Sequence, residues 1–223
     1  MAKKQGNFLV IIGLLLLAAA LFWAGANWMM DRKAGTTSRD TLEKLLEMIP
    51  EPVSVPSLPG VSEDNQPAAP SASPTPQSET EIPDYILNPE MEMPVRNIDG
   101  VDYIGVLTIP AIDLQLPVIT SWSYELLQLA PCRFFGSAYT DDLIIAGHNY
   151  TTTHFSALSS LQPGDILSFT DVDGNVFVYR VAETETLGEN AIEEMTGSGY
   201  ALTLFTCTVG GQYRVTVRCD RLT

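Results

Sequence analysis

Basic charge is scarce in this chain. Twelve Lys and Arg stand against 27 Asp and Glu, giving a formal charge of -15. A protein that grips nucleic acid needs a basic surface to neutralise phosphates, so that class is excluded. Histidine is scarcer still: there are two, His148 and His154, too few for a multi-histidine metal site. The three cysteines, Cys132, Cys207 and Cys219, are an odd number and cannot all pair internally. Lysine is confined to Lys3, Lys4, Lys33 and Lys44. From Asp84 onward the basic side chains are six arginines. Charge of either sign is missing from Phe8 to Met30, an apolar run of 23 residues.

That run is longer than the ~20 residues a helix needs to cross a bilayer. Lys3 and Lys4 precede it, and Arg32 and Lys33 follow. It is read as an uncleaved single-pass anchor with its N-terminus inside, so that everything after it is exported. The alternative is a cleaved leader, since Ala24-Gly25-Ala26 has the small-residue pattern of a cleavage site. Residues 1–33 form the first unit. Residues 34–83 form the second, a juxtamembrane helix and a Pro-rich linker. Asp40-Thr41-Leu42-Glu43 has the form of a capping box and predicts a helix opening there. Leu42, Leu45, Leu46 and Ile49 share one stripe of it, and Pro50 ends it. Nine of the chain's 15 prolines fall within residues 50–83, among Ser, Thr, Ala and acids. Such a segment buries too little apolar surface to offset its ordering entropy. As an extended stalk its 34 residues would reach about 105 Å and hold the domain away from the membrane.

Residues 84–223 form the third unit. Residues 84–100 are richer in large apolar groups and are read as an arm that packs on the domain. From Tyr103 the pattern is β, with strands expected over 103–109, 112–120, 134–138, 143–147, 165–170, 175–182, 201–207 and 212–219. Pro163-Gly164-Asp165 marks a turn, and Asp173-Gly174-Asn175 marks a hairpin. Short helices are expected over 122–129, 155–161 and 191–195. Many short strands at near-regular spacing mean a closed barrel or a sandwich.

Three residue types in this unit suit nucleophilic acyl transfer. Thr203-Leu204-Phe205-Thr206-Cys207-Thr208 reads as a buried strand ending on a thiol. Leu143-Ile144-Ile145-Ala146 ends on Gly147-His148-Asn149. Gln212 to Arg218 carries Arg214 and Arg218 on one face, since side chains repeat every two residues. A thiol can attack, an imidazole can move protons, and a guanidinium can steady an oxyanion. His154 lies in a polar turn, Thr151-Thr152-Thr153-His154-Phe155, and is read as a loop residue, not the base. Asp171, Asp173 and Asn175 invite a calcium reading. The loop pattern needs an acid two places before Asp171 and a Glu at its end, where Phe169 and Arg180 stand.

These motifs resemble the sortases, cysteine transpeptidases of Gram-positive cell surfaces. The matching pieces are Leu204-Phe205-Thr206-Cys207-Thr208, Ala146-Gly147-His148-Asn149, Arg214 on the following strand, and Tyr103-Ile104-Gly105-Val106-Leu107-Thr108-Ile109-Pro110. The resemblance implies a mostly β fold, an eight-stranded sortase-like barrel with short helices in its loops. It implies catalysis by Cys207 as nucleophile, His148 as general acid and base, and Arg214 as the cation, with no cofactor or metal. The partners it implies are secreted proteins bearing a sorting motif and an amine acceptor, either a peptidoglycan precursor or a pilin lysine. A lid over the groove, built from residues 84–100, is the alternative to a packing arm. Cys132 and Cys219 are expected to be unpaired, buried thiols. Two other functions stay open: a cysteine endopeptidase in which water replaces the amine, and an inactive membrane-tethered binding module.

Overall fold

The computed structural model describes residues 2–50, 82–149 and 153–222. One sheet of nine strands carries the fold: β1 (Arg96–Ile98), β2 (Val101–Ile109), β3 (Leu114–Ile119), β4 (Cys132–Phe135), β5 (Leu143–Ala146), β6 (Ile166–Asp171), β7 (Val176–Gly188), β8 (Leu202–Cys207) and β9 (Tyr213–Arg221). Their order is β1-β2-β3-β4-β5-β8-β9-β7-β6, and β6 pairs back onto β2. Strands β2 to β9 therefore close into the eight-stranded barrel, and β1 is added outside the closure. Closing the sheet leaves no long unpaired edge. At the seam Gly105 faces Asp171, and an added Cβ there would collide with the Thr170 carbonyl oxygen.

Turn chemistry sets the hairpins. Asp99 and Gly100 both take positive φ between β1 and β2, the twist-compatible turn for a two-residue loop. At the β6–β7 turn the buried Asp171 carboxylate accepts hydrogen bonds from Asp173 N, Asn175 N, Asn175 Nδ2 and the Tyr139 hydroxyl. Those acids serve the hairpin. The barrel interior holds the large apolar cluster, including Ile104, Leu107, Leu143, Ile145, Phe169, Phe177, Leu204 and Val217. On β5 these residues are two apart, as strand geometry requires, whereas on β2 the irregularity next to Gly105 leaves Ile104 and Leu107 three apart on the same interior.

Some boundaries differ from expectation. The strand expected at 112–120 begins at Leu114, because a 3-10 turn at Pro110–Ile112 carries the chain round the corner. The strand expected at 134–138 lies at Cys132–Phe135. Strand β7 runs on to Gly188, paired throughout with β9. Of the helices, α3 (Tyr124–Leu127) is short, with Ser123 Oγ capping Leu126 N, and α4 spans Ile192–Thr196. The stretch at 155–161 holds only a 3-10 turn, Leu158–Ser160.

The N-terminal region differs most. Helix α1 runs unbroken from Ala2 to Met48, so no helix opens at Asp40. A capping box acts only where backbone N–H groups lack helical partners, and here they have them. The end of α1 lies on the barrel. Ala34, Ser38, Thr41 and Leu45 are buried along one stripe. Leu45, flanked by Leu42 and Ile49, packs with Ile98, Tyr103, Val106, Ile119, Ala130, Cys132 and Val172. Thr41 hydrogen bonds the Tyr103 side chain, and Lys44 pairs with Asp99 at 2.7 Å. Leu46 alone of the expected stripe faces outward. Among the described residues, no helix is long and apolar enough to cross a membrane. Along α1, Leu14 to Leu17, Leu21, Phe22 and Trp23 are exposed. Of residues 50–83, read above as a stalk, 51–81 lie outside the described residues. Both flanks of that segment touch the barrel: Pro50 meets Gly174 before it, and Tyr85 stacks on Tyr139 after it.

Candidate active site

Three adjacent strands bring the chemistry together. Strands β5 and β8 run parallel, with Ile144 level with Thr203 and Ala146 level with Phe205. The pairing continues past the strand end, where Gly147 N donates to Phe205 O at 2.9 Å. Followed two residues on, the register sets His148 level with Cys207. Strands β8 and β9 are antiparallel, and Cys207 is directly opposite Arg214. Neighbouring strands lie about 4.8 Å apart, and residues level with one another share a face. Cys207 and Arg214 thus share the outer face at one end of the barrel, and His148, two residues past the last paired position of β5, extends the row by register. All three are half-buried.

The turn that makes this possible is Thr208 to Gln212. Gly210 and Gly211 both take positive φ, which a side chain would strain. Gly211 N donates to Thr208 O, and Tyr213 N donates to Thr208 Oγ1. Arg214 folds back on this turn, its Nη1 donating to Gly211 O at 2.7 Å and Tyr213 O at 3.1 Å. Among the described residues its Nε and Nη2 carry no hydrogen bond, so two donors of the fork stay open.

Beside the row is a cavity of about 260 Å³. Its walls are mostly apolar: Trp122 and Leu127 from the α3 region, Phe134 from β4, Phe205 from β8, Ile192 and Met195 from α4. Cys207 and Arg214 line it, and so does Gly147, one residue before His148. Trp122, Phe134 and Phe205 meet edge to face at centroid distances of 6.0 and 5.2 Å. An apolar cleft with a thiol and open guanidinium donors at one side suits an extended peptide whose scissile carbonyl lies at the thiol. The sortase domain family matches residues 107–222, more than half of the chain.

The chain belongs to the sortase family. Sortases are cysteine transpeptidases, and the matched region contains all three residues of the row. Among solved structures, the sortase C1 crystal structure from Streptococcus agalactiae is 25% identical, with a TM-score of 0.50, covering 65% of this chain and 79% of that one. Sortase C of Streptococcus pneumoniae is 27% identical, with a TM-score of 0.47, covering 54% and 69%. Sortase C1 of GBS pilus island 1 is 21% identical, with a TM-score of 0.46, covering 54% and 64%. This chain therefore spans less than two thirds of that last relative's length. No curated protein sequence matches it.

Of this sortase's three cysteines, Cys207 alone lines the cavity. Cys132 and Cys219 are buried and unpaired, as expected, and burial pushes both thiols up to about 12. At neutral pH they are inert. Arg218 shares the face of Arg214 but is 2% exposed. It pairs with Glu185 at 2.7 Å and donates to Met195 O, Ser198 Oγ, Thr203 Oγ1 and Glu194 O. Its fork is spent tying α4 to the sheet. His154 is 2% exposed, at φ 50°, with its ring against Ser38 of α1, and it does not line the cavity. The arm that includes α2 (Asp84–Leu87) packs on the barrel: Tyr85 stacks on Tyr139 at 4.6 Å, and Met93 is buried. Among the described residues, nothing from 84–100 lines the cavity. Sequence reading gave no role to Trp122 and Phe134. An aromatic in a loop and another in a short strand gave no sign that they share a wall.

Proposed function

We propose that this sortase cleaves a sorting motif in secreted proteins and transfers the acyl group to an amine, the acceptor being a cell-wall precursor or a pilin subunit. The observation that carries the reading is the register row of His148, Cys207 and Arg214 beside one apolar cavity. Cys207 Sγ attacks the scissile carbonyl carbon. The oxyanion that forms takes hydrogen bonds from the open donors of Arg214. Collapse breaks the C–N bond, and His148 gives its proton to the departing amine. A thioester remains on Cys207. An incoming amine then attacks the same carbon, its proton passes to His148, and the C–S bond breaks to restore the thiolate. Arg suits the cation role because its planar fork can hold an oxyanion and a backbone carbonyl together.

The chain works outside the cell, held to the membrane by the front of α1. Supporting this are the uncharged run from Phe8 to Met30 and the outward exposure of Leu14 to Leu17 and Leu21 to Trp23. Apolar surface of that extent calls for lipid or a partner. The pilin alternative for the acceptor draws support from a relative described in terms of pilin substrate specificity.

The test is mass spectrometry of the purified chain with candidate sorting peptides, with and without diglycine. A thioester on Cys207 that converts to a diglycine adduct supports transfer. Hydrolysis alone, unaffected by diglycine, would make it an endopeptidase. No adduct with any peptide, together with a thiol at position 207 that resists alkylation, would favour a binding module.

A further inference from the structure

The buried stripe of α1 contains one feature that packing does not require. Ser38 is 2% exposed, on a helix face it shares with Ala34, Leu45 and Thr41, whose own hydroxyl is matched by the Tyr103 side chain. A buried hydroxyl costs stability unless it is hydrogen-bonded. Ser38 Oγ lies 2.6 Å from Leu129 O and 3.1 Å from His154 Nε2. A carbonyl can only accept, so the single hydroxyl proton points at Leu129 O. The oxygen must then accept from His154, which fixes a proton on Nε2. The result is a directed relay, His154 Nε2–H to Ser38 Oγ–H to Leu129 O.

Each end of the relay leads to the site. His154 bridges to Asn149, and Phe155 N donates to His148 O at 3.2 Å. The Phe155 ring lies against Gly147, where an added Cβ would collide with it. The stretch that presents His148 is therefore closed at its base by the residue next to His154. At the other end, Leu129 N donates to Leu126 O, which ties Leu129 to the α3 wall of the cavity. The close approach is built in: an added Cβ on Gly35 would lie 2.8 Å from Thr153 Cγ2.

We propose that Ser38 is a positioning residue for catalysis: through His154 it fixes the loop that presents His148, so that docking of α1 sets the reactivity of the site. The inference rests on the transpeptidase reading above. It makes the N-terminal helix a working part of the enzyme and gives His154 a role distinct from that of the base.

The test compares Ser38→Thr with Ser38→Val in the full-length chain in detergent micelles. The two side chains fill the same volume and are equally β-branched, so they differ only in the hydroxyl. The Val variant is expected to show kcat for diglycine transfer about 10- to 100-fold below the Thr variant, the scale of an ångström-sized misplacement. KM for the donor peptide is expected to stay nearly constant. His154→Ala should lose as much as Ser38→Val, and the double variant should lose no more than either, as for residues acting through one contact. Equal kcat in the Thr and Val variants would overturn the proposal. A change in KM alone, or losses that simply multiply in the double variant, would do so too. If the wild-type chain formed no thioester on Cys207, the transpeptidase reading itself would fall, and this inference with it.

Discussion

At the residue scale, identical side chains have been given different work by their surroundings. Cys207 is half-buried at a strand end, while Cys132 and Cys219 are sealed in. A small alkylating reagent at pH 8 is therefore expected to label one thiol per native chain and three after denaturation, read by intact mass. Burial also makes a pH prediction. Raised thiol values mean that the folded state holds those protons more tightly than the unfolded chain does. That stability is fully present below the ordinary thiol range and is lost as pH climbs toward about 12. Thermal melting should fall over that window, and Cys219→Ala should flatten the fall. The arginines divide in the same way. Arg214→Lys should lower kcat/KM about 100-fold or more while leaving the melting temperature nearly unchanged. Arg218→Met strands Glu185 and several carbonyls and should cost about 3 kcal/mol in urea denaturation, leaving Cys207 reactive in any folded fraction. The placement of Cys207 at the end of β8, and of His148 just past β5, was legible because each follows an apolar run. The choice between Arg214 and Arg218 had no local signal beyond family resemblance. What separates them is α4, which covers Arg218 and leaves Arg214 half-buried beside the cavity.

At the element scale, strands were legible where apolar alternation met turn residues. Asp173-Gly174-Asn175 is such a place, and the hairpin is there. Strand β1 was not legible. It has three residues just after Pro94, too short for alternation to register, and it exists because the turn at Asp99 and Gly100 folds it onto β2. Helix α1 shows the opposite failure. The capping residues at Asp40 to Glu43 were a true local signal, overridden because the helix was already running. The stripe of Leu42, Leu45 and Ile49 was seen, but its partners come from β1, β2, β3 and β4, far apart in the chain. No window of sequence contains that surface. Leu45→Ala, which empties a fully buried site, should cost about 3 kcal/mol of barrel stability in a urea titration. A simple spacer helix would lose almost nothing.

At the scale of the whole molecule, the residues on either side of the Pro-rich segment both touch the barrel, Pro50 at Gly174 and Tyr85 at Tyr139. Cutting the chain within residues 51–81 should therefore leave the two pieces together. An engineered protease site there, followed by gel filtration, should give one native species that separates only in denaturant. Two separated pieces would show that the α1 contact does not hold unaided.

A continuous helix also acts as a gearshaft. At 1.5 Å and about 100° per residue, each residue inserted between Met30 and Ala34 would lift the barrel slightly and swing it through more than a quarter turn. If the front of the helix sits in a bilayer, as proposed, the compass bearing of the cleft, whether it looks along that surface or away from it, is written in the helical phase of those few residues. The number of residues in the Pro-rich segment would leave that bearing unchanged.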